Sequence, residues 1–107
     1  MSKPVEIIVR GNLVGAESEN VSKVLTQKRW MHRLTVSIEE ISFVATRVVG
    51  RKQLLETLAP GTKLSFVCTE ARMRAMMGEA PENGTPVEFS GAYSGSSIMA
   101  LTAARIL

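Results

Sequence analysis

A chain of 107 residues has room for one hydrophobic core and not two, and its 45% hydrophobic and 21% charged residues are the balance of a folded domain rather than a disordered one. The net charge of +3 is unevenly spread: residues 20–55 hold seven basic side chains against Glu39 and Glu40, net +5, which leaves −2 for the remainder. All ten acidic residues are Glu, there is one His and one Cys, and no apolar run reaches the roughly 18 residues of a membrane helix. These counts argue against an oxygen-ligand metal site rich in Asp, a Cys/His zinc centre, a disulfide framework and a membrane span. The opening MSKPVEIIV lacks the apolar stretch of a secretory signal, so the expected location is the cytoplasm.

In chain order, residues 5–14 alternate imperfectly and predict a long first strand, with Gly11 marking a bulge or bend. Residues 15–28 are polar and predict a long loop, with a helical turn near Val21, Val24 and Leu25. From Trp30 the period becomes two: Trp30, His32, Leu34, Val36 and Ile38 fall on one face, Met31, Arg33, Thr35 and Ser37 on the other. A β-branched run over residues 41–49 follows a Glu39-Glu40 step that lacks turn residues, so two arrangements stand open: a hairpin, or one continuous, strongly bent strand.

Residues 51–58 place Leu54, Leu55 and Leu58 on one helical face and stop at Ala59-Pro60-Gly61. Residues 63–69 alternate again as a strand, with Cys68 as a small core residue. Residues 70–77 set Met73, Met76 and Met77 at i, i+3 and i+4, a second short helix ended by Gly78, the Met cluster being its core-facing side. Pro86 opens the next strand, where Val87, Phe89 and Tyr93 share a face with Gly91. The final strand begins near Ile98, with Met99, Leu101 and Ala103 on one side, so residues 85–107 predict a closing hairpin about a Gly/Ser turn.

The segment GTPVEFSGAYSGSSIMALTAARIL resembles the closing strands of bacterial single-stranded DNA-binding proteins and of the related primosomal replication protein N. The opening VEIIVRGNLVG is similar to their first strand. The two ends together cover about a third of the chain, and apolar strands broken by Gly are shared by many barrels. The resemblance implies an all-β fold: a small five- to six-stranded barrel of the oligonucleotide-binding (OB) type, in one domain, with one or two short helices. It implies binding of single-stranded nucleic acid without strong sequence preference, DNA being the family's ligand, while the residues themselves leave DNA or RNA open. A homo-oligomer, dimer or tetramer, with replication or recombination proteins as further partners, is implied too. The family has one barrel helix before its fourth strand; residues 70–77 suit that place better than residues 51–58. The acidic C-terminal tail of the general single-strand binders is missing, which brings the tail-less primosomal type closer.

A single-strand binder needs cations along the phosphates and flat side chains against the bases. Lys28, Arg29, Trp30, His32 and Arg33 bring cations and two rings to the start of one strand; Arg47, Arg51 and Lys52 join them if the next strand pairs alongside. Trp30 and Tyr93 are the stacking candidates, whereas Phe43, Phe66 and Phe89 sit in apolar runs and are assigned to the core. No catalytic constellation is present. His32 has no Asp to orient it, Ser94-Gly95-Ser96 lacks a strand-to-helix setting, and Glu39 and Glu40 should face opposite ways along a strand. Neither an enzyme nor a cofactor is expected. The competing reading is a protein-interaction or oligomerisation module with no nucleic-acid ligand, its six Met residues suiting an adaptable interface.

Overall fold

The structure, a computed structural model, describes residues 4–20 and 30–107. Six strands and two short helices follow one another as β1 (Val5–Asn20), β2 (Trp30–Phe43), α1 (Arg51–Thr57), β3 (Lys63–Thr69), α2 (Glu70–Met77), β4 (Pro86–Tyr93), β5 (Ile98–Ala100) and β6 (Ala103–Ile106). They form a single mixed sheet in the order β5-β3-β2-β1-β4-β6, antiparallel except where β5 runs parallel to β3. The fold is all-β. The sheet is open, with β5 and β6 as its outer strands.

β1 and β2 are long because two compensating bulges let them bend while keeping apolar residues inside. Arg10 faces Glu40 and Gly11 faces Ile38, so Glu39 is the extra residue on β2; Leu13 faces Val36 and Gly15 faces Thr35, so Val14 is the extra residue on β1. The first bulge shifts the inward phase of β2 from Leu34, Val36 and Ile38 to Ile41 and Phe43. Of the two arrangements open at Glu39-Glu40, the bent continuous strand is the one observed. It corrects the expectation that these carboxylates face opposite ways: both are exposed, and Asn12 Nδ2 donates to Glu39 Oε1 at 2.6 Å. Strand structure ends at Phe43, so residues 44–49 are not strand despite their β-branched composition.

Gly11 is required for a different reason from turn glycines. A Cβ there would overlap the Ser37 carbonyl oxygen and come within 3.0 Å of Val36 Cγ1. The backbones of β1 and β2 approach each other there more closely than a side chain permits.

Residues 15–20 belong to β1 and not to a loop, because Gly15 to Asn20 pair in register with Thr35 to Trp30. Cross-strand hydrogen bonding overrides a polar sequence here, and the side chains from Ala16 to Glu19 are exposed. The turn expected near Val21, Val24 and Leu25 lies outside the described residues.

The chain end also departs from a simple hairpin. Residues 98–100 lie beside β3, whereas residues 103–106 lie antiparallel to β4, with Val87 facing Ile106 and Ser90 facing Ala103. The switch occurs at two consecutive amides: Leu101 N donates to Val67 O of β3, and Thr102 N to Ser90 O of β4, both at 2.9 Å. It shifts the inward phase, so Met99 and Leu101 are buried but Ala104, rather than Ala103, packs toward the core.

The core lies inside the curved sheet. Phe66 of β3 and Phe89 of β4 meet edge to face there, ring centroids 5.4 Å apart and planes at 77°. Met73 of α2 is buried against this core, with Met76 and Met77 half-buried beside it. Helix α2 connects β3 to β4. Its N-cap Thr69 accepts from Arg72 N, and Gly78, at φ 79°, donates from its amide to Arg74 O. Helix α1 is more loosely attached. It begins after Gly50 at φ 71° with no side-chain cap, Leu55 is 40% exposed rather than packed, and buried Leu58 follows its last turn.

Candidate nucleic-acid interface

The sequence-predicted residues fall at opposite ends of β2. Ten residues separate Arg33 from Phe43, a contour of roughly 33 Å at about 3.3 Å per residue. Lys28 and Arg29 lie outside the described residues, and Trp30 is placed only by its backbone pairing with Asn20. Arg33 is exposed, on the face opposite buried Leu34. His32 is turned toward α2: its Nε2 lies 3.9 Å from Glu70 Oε1, makes no hydrogen bond with a described residue, and is shielded from solvent. Glu70 in turn meets Arg74 Nη2 at 3.4 Å. Cys68, across the ladder from His32, is buried; desolvation pushes its thiol pKa up, with Arg72 pulling weakly the other way.

At the far end of β2 the structure brings the remaining candidates together. Pro4 to Glu6 at the start of β1, the segment from Ala45 through Gly50, one side of α1 (Gln53, Leu54, Thr57), and the β4 terminus (Tyr93 to Gly95) enclose a cleft of about 770 Å³. Arg47 and Tyr93 both line it. Tyr93 is 8% exposed, so it forms part of a wall and does not project into solvent. Residue 93 reaches this place because β4 pairs with β1 in a register that sets Tyr93 against Val5.

Arg51 and Lys52 follow directly on the lining residue Gly50, exposed, on the first turn of α1, and do not themselves line the cleft. The Arg51 guanidinium carbon sits 5.3 Å from the Phe43 ring centroid, within cation–π range. Phe43 is therefore half-buried and not simply core, as its apolar run suggested. Arg51 itself is exposed, and a guanidinium is a planar group able to stack on a flat ligand. Among the described residues, Arg47, Arg51 and Lys52 form no ion pair. Sequence reasoning also missed Gln53 and Gly95 as cleft residues; only the return of β4 to the start of β1 places them together.

The outer face of the sheet centre differs in its electrostatics. In register across β2, β1, β4 and β6 stand Glu40, Arg10, Glu88 and Arg105, alternating in sign. Arg10 Nε donates to Glu88 Oε2 at 2.7 Å, and Arg105 Nε to Glu88 Oε1 at 3.1 Å. These hydrogen bonds, Arg10's first, hold the Glu88 carboxyl below the usual carboxylate range, and the same contact raises Arg10. That row neutralises itself; among the described residues, Arg47 at the cleft, Arg51 and Lys52 just after it, and Arg33, Lys63 and Arg72 elsewhere make no ion pair. Among the described residues, no group of three His, Cys or Glu side chains is placed to hold a metal ion, and no helix is long and apolar enough to cross a membrane. No protein-family model matches this sequence, and neither a curated protein nor a solved structure matches it significantly.

Proposed function

We propose that this chain is an OB-type barrel that binds single-stranded DNA without strong sequence preference, using the cations Arg47, Arg51 and Lys52. The observation that carries the reading is a cleft lined by Arg47 and Tyr93, next to Arg51, whose guanidinium packs on Phe43, and Lys52, the three cations making no ion pair among the described residues. Phosphates meet the cations, while bases have a guanidinium face and an aromatic wall to pack against.

The barrel part of the proposal draws support from strand order. β1 pairs with both β2 and β4, β5 runs parallel to β3, and the peptide at Leu101-Thr102 hydrogen-bonds to β3 on one side and β4 on the other. The sheet as observed is open; counting β5 and β6 as one bent strand would put the chain end between β3 and β4, the arrangement that a barrel requires. Helix α2, between β3 and β4, occupies the connecting position that the family resemblance assigns to residues 70–77.

The test is a titration of labelled oligo-dT and of mixed-sequence duplex at several salt concentrations, with the assembly state followed by light scattering. Three phosphates held by Arg47, Arg51 and Lys52 correspond to a slope of about −2 in log affinity against log salt for a single strand. Absence of single-strand binding at low salt overturns the proposal. A protein ligand is the second reading, favoured by Val49 at 98% and Val44 at 54% exposure beside the same cleft. It would appear as partner binding that is insensitive to salt.

A further inference from the structure

Resting on that reading, we propose that the cleft lodges one unstacked base of the bound strand, its flanking phosphates being held by Arg47 and Arg51. Three features of the molecule point to a base rather than to a length of sugar–phosphate. The first is size: about 770 Å³ falls within the roughly 300–1,000 Å³ of small-molecule sites, far less than a groove tracking many nucleotides. The second is lining. Val5, Val48, Leu54 and the ring of Tyr93 supply apolar walls suited to a flat heterocycle, and Gln53 adds an amide able both to donate to and to accept from a base edge. The third is the placement of charge. Arg47 lines the cleft and exposed Arg51 follows the lining residue Gly50, whereas Glu6 lines the β1 side, so a phosphate is drawn to the loop side and repelled from the opposite wall.

The consequence is selectivity by structure rather than by sequence. A base can enter only after leaving its stack, which a single strand does at small cost and a duplex does not. The self-neutralised row of Glu40, Arg10, Glu88 and Arg105 on the sheet exterior gives a polyanion no comparable foothold.

The experiment compares an oligo-dT of about a dozen nucleotides, within the span of one such domain, with an abasic oligonucleotide of the same length and backbone. The wild-type chain should prefer the base-bearing strand by about 5- to 150-fold, the worth of one well-held base. Ala45→Trp and Thr57→Trp place an indole in the cleft from two exposed wall positions without touching the core. Each should lower oligo-dT affinity far more than abasic affinity and so close the gap between the two strands, with an unaltered thermal midpoint showing that the fold is kept. Equal wild-type affinity for the two strands overturns the base site while leaving single-strand binding intact. So does a loss in the Trp variants that is the same for both strands. Failure of the wild type to bind either strand overturns the proposed function itself. The wild-type comparison stands even if neither variant folds.

Discussion

Replacing Gly11 with Ala should be the most damaging single-methyl change in the described chain. The new Cβ would overlap the Ser37 carbonyl and lie 2.9 Å from its carbon, a clash with backbone that no rotamer relieves. Gly11 also pairs on both sides, with Ile38 of β2 and Val87 of β4, so β1 cannot retreat from one neighbour without straining the ladder to the other. Overpacking costs about 1–3 kcal/mol, and one or two weakened ladder hydrogen bonds add about 0.5–1.5 kcal/mol each. The sum, about 1.5–6 kcal/mol, is a large fraction of the roughly 5–15 kcal/mol that stabilises an ordinary domain. At about 4–8 °C per kcal/mol, the thermal midpoint should fall by at least about 6 °C. Gly15→Ala is the control. Its Cβ would meet only Thr35, at 3.7 Å, and the reduced freedom of the unfolded chain favours the variant by about 0.4–1 kcal/mol. Circular dichroism melts of the two variants and the wild type decide the matter. If Gly11→Ala melts within about 2 °C of Gly15→Ala, the close approach of β1 and β2 at the bulge is wrong.

Arg47→Ala should lower single-strand affinity and flatten the salt slope by about 0.7, one phosphate contact, with an unchanged melting midpoint. Phe66→Ala, which removes one ring of the edge-to-face pair at a fully buried position, should cost about 3–5 kcal/mol in urea denaturation. Because the Glu88 carboxyl is depressed in the folded state, its contribution is present above the unfolded Glu value of about 4.3 and is lost as pH falls through the lower folded value. Urea midpoints at pH 6 and pH 3 should therefore differ less in Glu88→Gln than in the wild type. Cys68, buried and with its thiol pushed up, should react with a thiol reagent far more slowly in native buffer than in denaturant; equal rates would place it at the surface.

What was legible in the sequence was whatever depends on near neighbours. The two-residue period from His32 to Ile38 set that strand and its inward face, the Met spacing set α2, and Ala59-Pro60-Gly61 marked a stop after α1. Each is a choice made within about a turn or a pleat, where side-chain periodicity and backbone chemistry act directly. Residues 15–20 were not legible. Their polar side chains say loop, and only hydrogen bonds to Thr35 through Trp30 make them strand.

The candidate site divides in the same way. Composition alone placed seven cations between residues 20 and 55 and nearly removed metal and disulfide chemistry from consideration. It could not separate Arg33, near the start of β2, from Arg47 and Arg51, just past its end, nor bring Tyr93 to the latter pair from more than forty residues away. That juxtaposition depends on the register of β4 against β1 and on the bend at Glu39, which carries β2 to the cleft. Charge and period are properties of the chain and survive unfolding, so they can be read from letters. Register is a property of pairs of strands, chosen by which faces bury and where bulges fall, and it exists only once the sheet has formed.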